Sequence, residues 1–196
     1  MQADRAVPDR SDHYDHWSMG HRHTKEEILD GALATAVAGG LSRLSYGRVA
    51  KQLGINDRTV VYYFATKDEL ISDVLFSIGA QLQQTLEPAF AATAADHLGL
   101  LRAAWPILAQ PSADPVFALF FEANGLAAAG RRPYATLVPL MVDAWIAWVM
   151  GFLEGTDHER RTEAEATIAV IDGLLLLRQL GGAAAADRAA QRLGVC

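Results

Sequence analysis

Four side chains in one short stretch, Arg58, Thr59, Tyr62 and Tyr63, carry the donors and flat rings that read a nucleic-acid groove. Their spacing sets them on the outer face of a helix, while Val60 and Phe64 turn inward. The stretch from Leu44 to Phe64 reads as two short helices joined by a tight turn at Gly54. That arrangement is a helix-turn-helix over about residues 45–64, whose second helix enters the major groove of DNA.

The charge of the chain supports this once it is mapped. The 196 residues carry a net charge of −6, unpromising for a partner made of phosphates. Residues 21–67 nevertheless hold seven Lys/Arg against four acids, and residues 68–196 hold eight Arg against fifteen acids. A basic end on an acidic body fits docking on DNA through that end. The lone cysteine, Cys196, excludes an intramolecular disulfide and fits a reducing, cytoplasmic setting. The start of the chain is polar and does not read as a secretion signal. Tyr134 to Leu153 is long enough to span a bilayer, but Asp143 and Pro139 within it favour a buried core helix, so no membrane partner is expected.

The elements that must hold the four side chains follow from caps and periodicity. Residues 1–23 have no apolar period and are expected to form a flexible arm; Met19-Gly20 offers an alternative start. His13, His16, His21 and His23 invite a metal reading, but without a cysteine partner or a scaffold no metal site is assigned. Thr24-Lys25-Glu26-Glu27 is a capping box opening a first helix that Gly39-Gly40 ends. Ser45 caps a second helix and Asn56 a third. A second capping box, Thr66-Lys67-Asp68-Glu69, opens a long fourth helix running to Pro88. Further helices are expected near 97–110, 115–129 (Asp114 as cap, Pro115 at the first position), 133–154, 159–180 and 183–193, with no strand signal. The chain is therefore all-α with about nine helices: a head over 24–82 and a helical body over 83–196.

The head resembles the TetR family of bacterial transcription regulators. The resemblance rests on Ile28-Leu29-Asp30 with Ala32-Leu33, Val49-Ala50 before Gly54-Ile55, Thr59, the aromatic Phe64, and Thr66-Lys67-Asp68-Glu69-Leu70. It implies that Asp57, Arg58, Thr59 and Tyr62 face base edges or nearby backbone, and that Tyr63 takes the place of a frequent phosphate-contacting histidine. Lys67 matches the usual phosphate lysine, and Ser45, Tyr46 and Arg48 would touch the DNA backbone. Val61 stands where the family usually has tyrosine. Asp57 either accepts from a cytosine amino group or favours the helix N-terminus through the dipole. Arg58 pairs with guanine or with a phosphate.

The resemblance further implies a symmetric homodimer on a palindromic operator in double-stranded DNA, here with helices 8 and 9 as the seam, where Ile168, Ala169, Ile171, Gly173, Leu174 and Leu175 divide between core and interface. It also implies a small effector bound by the body and transmitted through helix 4. Trp105, Phe117, Phe120, Phe121, Met141, Trp145 and Trp148 supply apolar area among helices 4–7, as pocket or as plain core. Glu122, Asn124, Tyr134 and Asp143 are the polar candidates for orienting a mostly apolar ligand. The expected function is a DNA-binding regulator, a repressor released by that effector. The alternative is a helical ligand-binding or interaction protein that does not bind DNA. No phosphate loop, zinc-binding His-Glu pair, nucleophile elbow or cofactor motif argues for an enzyme.

Overall fold

The computed structural model describes residues 23–90 and 92–196, so residues 1–22 of the expected arm, with its first three histidines, lie outside the described residues. Thr24 opens α1 (Lys25–Gly39) with the complete reciprocal box: its hydroxyl accepts from Glu27 N–H, and the Glu27 carboxylate accepts from Thr24 N–H. After a 3-10 turn at Leu41–Arg43 come α2 (Tyr46–Leu53) and α3 (Asp57–Tyr63). Gly54 between them is left-handed, with φ 68° and ψ 29°, and its N–H closes onto α2. The Asn56 side chain accepts from Arg58 N–H and caps α3. Ser45 sits at the N-cap of α2 in extended backbone, but its hydroxyl makes no capping bond.

α4 (Lys67–Leu86) rises from Thr66, whose side chain accepts from Glu69 N–H. The expected second box is only half formed, because Glu69 accepts instead from the N–H of Ala65. Twenty residues give α4 a length of about 30 Å. Its first half closes the head, where Ile28, Ala32, Leu41, Leu44, Val49, Val60, Phe64, Leu70 and Val74 are fully buried.

The body comprises α5 (His97–Leu108), α6 (Asp114–Ala128), α7 (Tyr134–Met150), α8 (Asp157–Gly181) and α9 (Ala183–Arg192), which makes nine α-helices among the described residues. A third capping box, Thr156 with Glu159, opens α8 and was not anticipated from the sequence. Asp114 is not the cap of α6 but its first residue. Its carboxylate takes both Nε and Nη2 of the buried Arg178 at 2.6 and 3.1 Å, tying α6 to α8. Asp143 is exposed, 3.6 Å from Arg161. An isolated bridge between Ala94 and Leu153 is the nearest thing to a strand among the described residues. None of the described helices is long and apolar enough to cross a membrane.

Head and body share one boundary. Leu119, Ala123, Tyr134 and Leu137 of α6 and α7 belong to the same buried cluster as the head. Glu122 of α6 accepts from Leu41 N–H at 2.7 Å and from the N–H and hydroxyl of Ser42 at 2.8 and 2.6 Å, capping the 3-10 turn from outside. Gly40 makes this approach possible: its φ of 84° and ψ of 158° suit glycine alone, and an added Cβ would lie 2.9 Å from Glu122 Oε2. Gly40→Ala is therefore expected to destabilise the fold by about 1–3 kcal/mol, read from urea unfolding. Unchanged stability would mean that this backbone relaxes without cost.

Candidate DNA interface and effector cavity

The outer surface of α3 carries what the sequence proposes for DNA, but the expected contacts separate into two groups. Asp57, Arg58 and Tyr62 are exposed, Tyr62 at 82%, with Thr59 half-buried beside them. Arg48 on α2 and Lys67 at the start of α4 are exposed as well, as are Arg43 and Lys51, which the sequence reading did not assign. Val61 is exposed at 45% on the same helix.

Two tyrosines of the expected interface spend their hydroxyl protons within the head. The Tyr63 hydroxyl donates to the His23 carbonyl, so its proton is spent inside the head rather than held out for a phosphate. The Tyr46 hydroxyl donates to the Phe64 carbonyl at 3.1 Å, fastening α2 to the end of α3. Burial, helped by the charges of Glu69 and Asp68, raises the pKa of the Tyr46 hydroxyl. Both residues position the recognition helix from behind. Tyr62 and Tyr63 meet edge to face, with centroids 5.0 Å apart. Ser45 is half-buried. Lys25 is drawn inward to Asp73 at 2.8 Å and lies over the Phe64 ring.

A cavity of about 100 Å³ lies in the body between α4, α5, α6, α7 and α8. Of the nine residues expected to bind a ligand, Phe117, Phe120, Asn124, Met141 and Trp145 line it, joined by Trp148. The other four are elsewhere. Trp105 is packed in the body core one position round α5 from the lining residues Ala104 and Leu108. Phe121 points into the same core, 5.4 Å from the Phe120 ring. Glu122 faces the head. Burial alone would raise its pKa, but the hydrogen bonds from Ser42 and Leu41 hold it below the ordinary carboxylate range. Tyr134 lies one turn beyond the lining residue Val138, in the head cluster, where burial and then the charge of Glu122 push its hydroxyl up to about 12.

The polar lining residue that the sequence reading missed is Asp172 of α8. Thr167, Ile168, Ile171, Asp172 and Leu175 present one α8 face to the cavity. Burial pushes the Asp172 carboxyl up to about 6. A signal existed: an acid at helical spacing from Ile168 and Leu175, on the face that must pack inward.

The described residues thus form a helix-turn-helix head joined by one long helix to a helical body that holds a cavity. Residues 28–74 match the family model described as bacterial regulatory proteins, tetR family. A transcriptional regulator from Rhodococcus sp. Rha1 superposes with a TM-score of 0.65 at 22% identity, covering 80% of this chain and 84% of its own. A TetR transcriptional regulator from Legionella pneumophila gives 0.59 at 20%, covering 82% and 89%. The multidrug binding protein EbrR complexed with malachite green gives 0.66 at 24%, covering 88% and 96%. A search of curated proteins returns no match. The match to that family model is confined to the head, and the chain as a whole shares the fold of these solved structures.

Asp172 makes a stability prediction with a definite sign. Its folded pKa of about 6 lies above the roughly 3.9 of an unfolded aspartate, so the folded state binds the proton more tightly. Its contribution is most favourable below about pH 4 and is lost as pH rises through about 6. Asp172→Asn is therefore expected to stabilise the protein by about 1–3 kcal/mol at pH 7.5 and by little at pH 4, in urea melts at the two pH values. Equal effects at both would assign the change to packing.

Proposed function

We propose that the protein is a repressor that binds a palindromic DNA operator as a homodimer and leaves it when a small, mostly apolar effector enters the body cavity. One observation carries this reading: the same helix, α4, begins with the exposed Lys67 beside the recognition helix and ends as a wall of the cavity through Leu75, Ile78, Gly79, Leu82 and Leu86. Pockets for drug-sized ligands run to about 300–1,000 Å³, well above the space present. An effector of that size has to push the walls apart, and a displaced α4 moves the head. The difference between closed and opened walls is the differential affinity that any allosteric release needs. Glu122 offers a second link, since it grips the head from α6 beside the lining residues Phe120 and Asn124. EbrR, of the same fold, is described as a multidrug binding protein and is complexed with malachite green, which is in keeping with an effector site in a body of this kind.

The dimer has its support on α8. Ala169, Gly173, Leu176, Leu177 and Leu180 fall on one exposed face, with Leu180 81% exposed, and Gly173 has open space where a side chain would be. Leu174 is spent in the chain's own core, while Ile168, Ile171 and Leu175 face the cavity. Leu193, just past α9, is 51% exposed.

Three outcomes are expected. Selection of bound sequences from a random DNA pool returns a palindrome, and Arg58→Ala relaxes the preference at one position per half-site, worth about 1–3 kcal/mol. A uniform loss across all sequences would assign Arg58 to phosphate. Log affinity for the operator falls with log salt at a slope of about −5 if a dimer neutralises about six phosphates; a flat response would sink the DNA-binding reading. Leu180→Asp shifts the protein from dimer to monomer in sedimentation at micromolar concentration, and a wild-type monomer would overturn the symmetric arrangement.

A further inference from the structure

The cavity wall carries an acid that none of the described residues pairs with. Asp172 has neither a hydrogen bond nor an ion pair among the described residues, and no Lys, Arg or His lines the space it borders. A second group is stranded beside it. The Asn124 Oδ1 is buried without a hydrogen-bond partner, on a helix facing the same space from the other side. Thr167, the remaining polar lining residue, gives its hydroxyl proton to the Glu163 carbonyl at 2.8 Å and so offers only an acceptor oxygen. Trp145 and Trp148 complete the wall, edge to face with centroids 5.2 Å apart. Aromatic faces of this kind attract a cation through their quadrupole.

The one ionisable group of this wall is therefore an acid, and the unpaired buried atom beside it is an acceptor. A neutral hydrocarbon would fill the space and leave both Asp172 and Asn124 unpaired, which is costly in an apolar surround. An anion would meet the Asp172 carboxylate with no Lys, Arg or His in the lining to offset it. We propose that the cavity selects a lipophilic monocation: its positive centre lies opposite Asp172, its hydrogen-bond donors are directed at Asn124, and its apolar bulk rests against Trp145, Trp148 and the α4 wall. This rests on the reading of the cavity as the effector site and specifies the chemistry of that site.

Two probes of the same shape separate the charge from the hydrophobic fit. Phenyltrimethylammonium and tert-butylbenzene are titrated by calorimetry into the full-length protein and into Asp172→Asn, whose thermal unfolding certifies its fold. The expected result is that the wild type prefers the cation about tenfold or more. In Asp172→Asn the preference falls to about twofold or less, and the neutral probe binds as before. Equal binding of the two probes to the wild type, or a cation preference that survives in Asp172→Asn, overturns the proposal while leaving an effector cavity in place. Binding of neither probe overturns both the proposal and the effector reading.

Discussion

α4 has to satisfy two interiors at once, and most of the molecule is arranged around that constraint. Its first half supplies Leu70, Ile71 and Val74 to the core behind the recognition helix. Its second half supplies the floor of a cavity. A helix buried at both ends cannot turn or slide at one end without disturbing the packing at the other, because protein interiors are close-packed and yield in steps. The head is small, and its stability is borrowed in part: Leu119 and Leu137 of the body complete its core, and Glu122 closes the turn that would otherwise present bare N–H groups. What looks in sequence like two modules is, at this boundary, one cooperative unit.

The polar residues near the boundary divide by which interior they serve. Along α6, Phe117, Phe120 and Asn124 face the cavity, whereas Glu122, about 200° round the helix from Phe120, faces the head. Two groups on one helix thus meet opposite fates: one carboxylate is fully bonded and held ionised, and one amide oxygen is left without a partner. Asp114 and Arg178 show the bonded pattern again where α6 begins, as do His97 and Glu163, 2.6 Å apart, where α5 meets α8. Against these, Asp172 stands out for having no such arrangement.

Much of this was legible in the residues. Thr24 with Glu27, Gly54 and Asn56 act within a few positions of themselves, so local chemistry was enough to place α1, the turn and α3. The cavity aromatics were half legible: the apolar runs of α6 and α7 announce burial, but which face meets a void depends on neighbours the sequence does not name. The inward hydrogen bonds of Tyr46 and Tyr63 were illegible for the same reason. An outward phenol and one bonded to a carbonyl eighteen or forty residues away in the chain have the same sequence signature. Glu122 was placed with the ligand because an acid among phenylalanines signals a buried role, while its partners lie about eighty residues earlier.

The exposed leucines of α8 bear on how much of the protein a cell must make. A face such as Leu176, Leu177 and Leu180 left in water invites its own copy, and association of two equal chains depends on the square of their amount. A regulator joined through that face would occupy a two-headed site only weakly when scarce, and its occupancy would then rise sharply once the chain exceeds the dissociation constant of its dimer. In the proposed homodimer, that apolar face would therefore set a dosage threshold: the number of molecules below which a two-headed site stays empty whatever a ligand does.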